Sequence, residues 1–361
     1  MSKSSIISIF LIIIITLFSC SKPQKKFEEI NSDTLIKEQN TQITFFAERW
    51  IENYKNISTI GGGLLYGSVD ICDKSHHAYD IGLKVANIYT MPSKLVSPLE
   101  SILELDDYLT VISVERNSPS TKLIEPGDKI ISIDGIEIFG EYALQNYESI
   151  INQDLLKKYE IKLKRDDNIE TKIIQSSLKC AFNISVNFDN DRFNAWVDEY
   201  NNLTFSLRLA EWLKNDELAT AVITSHELAH IIQNHIEIKK TNQRIAGIFG
   251  LALDIGAYTS GINTSGKIKS IAENIGANQY SKALEKEADY VGTYILARNG
   301  YDFEKLPMFW RKFSIEVPNS IYSSNSATHP STSERAVLLE ETIKEIKKKI
   351  ENNEKLIPNE D

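Results

Sequence analysis

Only three cysteines occur in the 361 residues: Cys20, Cys72 and Cys180. They are too few, and too far apart in sequence, to build a thiolate metal site. Basic charge is also short, with 40 Lys and Arg against 50 Asp and Glu and a formal net charge of -10. A nucleic-acid partner would want a basic face, so none is expected, and the acidic excess serves solubility. Long apolar runs are missing as well. Ile6 to Phe18 is almost unbroken but too short for a comfortable membrane span. No internal repeat is visible. The remaining composition, 42% hydrophobic and 25% charged, is that of a globular chain with room for one large core or two modest ones.

The first residues are unlike the rest. Lys3 is followed by the apolar run, then Leu17-Phe18-Ser19-Cys20, then the polar stretch Ser21 to Lys26. This order resembles a bacterial lipoprotein signal. It implies a signal peptide over 1–19, lipid on Cys20 and a tether over 20–40. An uncleaved N-terminal anchor is the other reading. Both put the protein in the bacterial cell envelope, held to the outer or inner membrane and facing the periplasm, or otherwise extracytoplasmic. Cys72 and Cys180 then lie in an oxidising compartment, where a disulfide and two separate buried thiols are both open.

In residues 41–60, Ile43, Phe46, Trp50, Ile51 and Tyr54 fall at helical spacing, and Gly61-Gly62-Gly63 is expected to stop the helix. The segment 41–79 is expected to pack on the C-terminal domain. Leu109 to Val114 and Lys129 to Ile133 alternate like strands, and Asp134-Gly135 marks a tight turn. A helix over Glu141 to Gln153 and strands over Tyr159 to Leu163 and Glu170 to Ile174 follow. Ser118-Pro119-Ser120, Gly127-Asp128-Lys129-Ile130 and Ile133-Asp134-Gly135 resemble the motifs of PDZ domains in exported bacterial proteases. The resemblance implies a PDZ-like domain over 80–177 that takes an extended peptide as an added strand. The adjacent His76 and His77 read as loop residues.

After residue 178 the pattern becomes short strands (Asn183 to Phe188, Phe193 to Asp198, Leu203 to Leu207) and then helices. A helix is expected from Asp216 to about Lys239. It carries His226-Glu227-Leu228-Ala229-His230. Positions four apart share a helix face, so His226 and His230 can take adjacent corners of a zinc site, with Glu227 in reach of a metal-bound water. His235 would lie about 140° further round and point away. A second helix, 281–298, is expected to be capped by Ser281 and stopped at Asn299-Gly300. Its Glu285 and Asp289 share a face; Glu285 reads as the third ligand and Asp289 as the partner that orients an imidazole. His329 stands just before a third helix, announced by the capping box Ser331-x-x-Glu334, and could reach back into the cleft. The interval Ile245 to Tyr280 contains Asp254 and several glycines, so it reads as a lid or a packed helical hairpin rather than a span.

Taken in order, Phe193-Asn194-Ala195, Asp216 to Ala219, His226 to His230, Glu285 to Asp289, Gly300-Tyr301-Asp302 and Thr328-His329-Pro330 with Arg335 resemble one family. It is the gluzincin peptidase family that includes HtpX, the CAAX prenyl proteases, Oma and BepA. The resemblance implies an α+β protein: a mostly helical zincin-type metallopeptidase domain over 178–361 with a short sheet, beside the small PDZ-like β/α domain. It implies one Zn2+ per chain on His226, His230 and Glu285, with Glu227 as general base. Asn194, Ala195 and Trp196 would line the cleft and hold the substrate backbone, and His329 would face the oxyanion or cover the metal at rest. The expected function is zinc-dependent endopeptidase action on protein or peptide substrates of the envelope. A chaperone-like or peptide-binding lipoprotein with a closed or inactive metal site is the alternative.

Overall fold

The protein is described here by a computed structural model covering residues 30–151, 155–189, 192–198, 200, 202–214, 216–259, 264–265, 267–322 and 330–359. The expected signal over 1–19 and the lipidation site Cys20 lie outside these residues. Contacts divide the chain into two units, Met1–Ile43 and Thr44–Asp361. Of the first, residues 32–43 are the start of helix α1 (Ser32–Gly67), where nearly every residue is exposed.

Within the second unit α1 does not stop at its glycines. It runs through them to Gly67. These positions are glycine because neighbours press against them. An added Cβ would stand 2.5 Å from Ile184 Cδ1 at Gly61 and 2.8 Å from Arg116 Cβ at Gly63. The helix costs some backbone entropy there and gains close packing. Its earlier turns bury Trp50 and Ile51, and the Trp50 indole N–H donates to the Val186 carbonyl at 2.9 Å. Glu211 accepts from Arg49 Nε at 3.0 Å on the same face.

Strand β1 (His77–Asp80) pairs antiparallel with β8 (Ser177–Cys180), and these two strands bracket a smaller β-rich segment. That segment holds β2 (Leu83–Ala86), α2 (Val96–Leu103), β3 (Leu109–Val114), β4 (Lys129–Ile133), β5 (Ile136–Glu137), α3 (Ala143–Ile151), β6 (Lys158–Arg165) and β7 (Asn168–Gln175). The sheet order is β2-β3-β4-β6-β7, with β5 on β4. Tyr159, Ile161 and Leu163 alternate inward along β6 and meet Ala143, Tyr147 and Ile151 of α3 in a core of their own. At the junction Glu115 is 1% exposed, between Lys84 at 3.3 Å and Lys179 at 2.7 Å, and Lys179 also pairs with Asp80. Cys72 and Cys180 are buried free thiols. His77 is on β1 rather than in a loop, its Nε2 3.1 Å from the Cys72 carbonyl oxygen.

The C-terminal part begins with β9 (Asn183–Asn187), β10 (Ala195–Val197) and β11 (Asn202–Ser206), in the order β10-β11-β9. Then come α4 (Leu207–Leu213), α5 (Glu217–Ile232), α6 (His235–Thr259), α7 (Lys267–Arg298), α8 (Leu306–Glu316) and α9 (Thr332–Glu351). The whole is α+β, with strands concentrated before residue 206 and helices after it. Asp216 caps α5, its side chain accepting from Ala219 N at 3.0 Å. Ser331 caps α9 in the same way, accepting from Glu334 N at 3.1 Å.

Two expected helix boundaries differ. The helix expected to reach Lys239 ends at Ile232, because Asn234 takes the left-handed conformation (φ 55°) and the chain restarts as α6 at His235. The helix expected to begin at Ser281 is instead the last part of the long α7. The interval between α5 and α7 is a helical hairpin, with α6 packed along α7. Buried Asp254 braces its turn, accepting from Lys269 N at 2.9 Å. No helix among the described residues is long and apolar enough to cross a membrane.

Candidate metal centre

Helix α5 presents His226, Glu227 and His230, and α7 lies against it with Glu285 and Asp289. Small residues permit the approach. Ala288 is fully buried, and a Cβ on Gly292 would stand 3.2 Å from the backbone nitrogen of His226. The result is a compact set of donors. Nε2 of His226 is 3.2 Å from Nε2 of His230 and 3.2 Å from Glu285 Oε2, and Nε2 of His230 is 3.4 Å from Glu285 Oε1. Zinc–nitrogen and zinc–oxygen bonds of about 2.0–2.1 Å at tetrahedral angles separate neighbouring donors by about 3.3 Å. The three residues therefore fit one zinc ion in both donor chemistry and spacing.

The surroundings fix the rings. Nδ1 of His226 lies 3.0 Å from Asp289 Oδ1, and the same oxygen accepts from Arg335 Nη2 at 2.6 Å. Arg335 also donates from Nε to Asp289 Oδ2 at 2.7 Å and stacks 3.5 Å over the Trp310 ring. Burial would raise the Asp289 carboxyl, but Arg335 and His226 outweigh it and hold it below the usual carboxylate range. Burial and Arg335 push the His226 imidazole down, while Asp289 and Glu285 outweigh them and lift it to about 9. Arg335 stood in the sequence motif without a role; its place under Asp289 was not readable from spacing.

His235 corrects another expectation. Because α5 breaks at Asn234, the chain folds back and brings His235 Nδ1 to 2.8 Å from Nδ1 of His230. The five-residue spacing gave the wrong direction only because it assumed an unbroken helix. His235 is 3% exposed, and burial, then the neighbouring His230, push it down to about 3.

Strand β10 runs beside the donors. Asn194 accepts through its carbonyl from Ser206 N at 2.9 Å, and Asp198 N donates to the Asn202 carbonyl at 3.1 Å. Backbone groups alternate sides along a strand, so Ala195 and Val197 turn their N–H and C=O toward the edge away from β11. Asn194 and Trp196 spend theirs on β11. Of the three residues expected to hold a substrate backbone, Ala195 is placed for it, and Val197, absent from that set, is its partner.

Cavities open on both sides of Glu227. One, about 260 Å³, is lined by Trp196, Val197, Glu227, His230, His235 and Glu285. The other, about 280 Å³, has an apolar wall of Phe193, Ile223, Trp310 and Phe313 and also reaches His226 and Glu227. His329 lies outside the described residues.

The profile of peptidase family M48 matches residues 163–343. A beta-barrel assembly-enhancing protease of Yersinia pestis is 26% identical over 134 residues, 35% of this chain and 27% of that protein. The protein of the same name from Escherichia coli is 23% identical over 208 residues, 53% of this chain and 40% of its own. Mitochondrial metalloendopeptidase OMA1 of Schizosaccharomyces pombe is 24% identical over 136 residues, covering 37% and 39%. The chain thus spans less than half the length of these curated relatives. Among solved structures, the HtrA3 PDZ domain bound to a phage-derived ligand is similar to 28% of this chain and 89% of its own, at 21% identity and a TM-score of 0.22.

Proposed function

Because the chain belongs to peptidase family M48, we propose that it is a zinc-dependent endopeptidase acting on protein substrates of a bacterial cell envelope. The observation that carries this reading is the convergence of three donors, Glu227 and the free edge of β10 on one cleft.

In this reading His226, His230 and Glu285 hold the zinc ion. When bound, the metal polarises a water and the scissile carbonyl. The chain does the rest. Ala195 and Val197 pair with the substrate as an added strand and set the peptide bond across the cleft. Glu227 takes the proton of the attacking water and passes it to the leaving amine. Asp289, anchored by Arg335, holds the His226 ring so that Nε2 faces the donor cluster. His329 supplies a donor to the developing oxyanion.

Lipid on Cys20 would keep the enzyme at the envelope membrane; the support is the order of residues 1–26. The segment 80–177 serves as a PDZ-like module that recruits or restrains substrates, supported by its sequence motifs and its sheet capped by α3. The test is cleavage of casein and of envelope protein extracts by the full chain and by Glu227→Gln. Cleavage by the parent, lost at least a hundredfold in the variant with zinc retained, supports the reading. Equal cleavage by both would end it.

A further inference from the structure

We propose that His235 and Glu287 form a hydrogen-bonded relay that fixes the tautomer and direction of His230. The inference rests on the zinc reading above. It concerns how the second imidazole is prepared, for which the carboxylate partner of His226 has no counterpart.

The two histidines of α5 are supported differently. His226 has a carboxylate on its rear nitrogen, Asp289 at 3.0 Å. His230 has another imidazole there, His235 Nδ1 at 2.8 Å. Two neutral rings meeting through Nδ1 need one donor and one acceptor. The far side of His235 decides which. Its Nε2 stands 3.2 Å from Glu287 Oε2, and an ionised carboxylate only accepts. So His235 Nε2 carries the proton and its Nδ1 is the lone pair. His230 must then donate from Nδ1, which leaves its Nε2 lone pair aimed at the other donors. A metal-ligating nitrogen needs that lone pair.

The backbone is arranged for this contact. In a continuous helix a residue five positions on lies about 140° away. The left-handed Asn234 ends α5 and folds His235 back over the last turn. Glu287 comes from α7, two residues after Glu285, so the same helix supplies one donor to the cluster and the end of the relay.

The experiment strips the full-length chain of metal and titrates it with zinc against a chromophoric chelator. His235→Asn keeps an acceptor oxygen near the position of Nδ1. His235→Gln places its amide near Nε2 and leaves His230 Nδ1 without its partner. The relay predicts that His235→Asn binds zinc within about threefold of the parent and that His235→Gln and His235→Ala bind about 10–100-fold more weakly. The thermal midpoint of each metal-free variant is recorded beside it. Packing alone would weaken zinc binding only in step with that midpoint, whichever nitrogen is mimicked. Equal zinc affinity for His235→Asn and His235→Gln overturns the relay. A parent chain that binds no zinc overturns the metal reading itself, a result the variants cannot imitate.

Discussion

Oδ1 of Asp289 sits 3.0 Å from Nδ1 of His226 and 2.6 Å from Nη2 of Arg335, with all three residues buried. A carboxylate so placed is useful to a metal ligand only while the guanidinium offsets its charge. Removing one member of a buried pair leaves the other uncompensated, which costs about 3–5 kcal/mol.

Arg335→Met should therefore destabilise the protein by about that amount and weaken zinc binding, although Arg335 touches no metal. Denaturant unfolding and chelator competition check the two effects. Asp289→Asn should weaken zinc binding about 10–100-fold while retaining the cleft's shape.

Gly292 sets the distance between α5 and α7. A Cβ there meets the backbone of Ser225 and His226 at 3.2 Å, and backbone cannot move aside as a flexible side chain can. Gly292→Ala should cost about 1–3 kcal/mol, and Gly292→Val more. Both should lower zinc affinity, because the donors come from the two helices being separated.

The junction of the β-rich segment should respond to acid. Burial raises the Asp80 carboxyl, but Lys179 outweighs it and holds the folded value below the ordinary one. A depressed carboxylate contributes stability that is full above its unfolded value, about 3.9, and is lost as pH falls through the folded value. In Lys179→Met burial acts unopposed by that partner, so the acid-side loss should begin at higher pH and stability at neutral pH should drop. Thermal midpoints between pH 3 and 7 follow this directly. Identical acid limbs for the two proteins would contradict it.

The apolar cavity beside Glu227 should govern substrate choice. Its wall of Phe193, Ile223, Trp310 and Phe313 suits a large apolar side chain next to the scissile bond. Ile223→Phe narrows it and should shift kcat/KM toward smaller residues by about tenfold, as measured on a peptide series varied at that position.

Much of this arrangement was legible in the sequence because helices convert spacing into direction. His226 and His230, and Glu285 and Asp289, are each four apart, and each pair does share a face. What spacing could not give was where a helix breaks. Asn234 takes a left-handed backbone without the glycine that would announce it, so His235 was assigned the wrong direction. The error at Gly61-Gly62-Gly63 was the converse. Three glycines looked like a stop, yet α1 continues because Ile184, Glu115 and Arg116 press on it where side chains would have stood. Arg335 escaped for a different reason. Its partner lies 46 residues away in sequence, and no local pattern links them.

The central claim is that this cluster holds zinc. Metal content by mass spectrometry on the purified chain, beside His226→Ala, tests it most directly. The account predicts about one zinc per parent chain and little or none in the variant. A well-folded parent chain without zinc after growth in zinc-replete medium would contradict it.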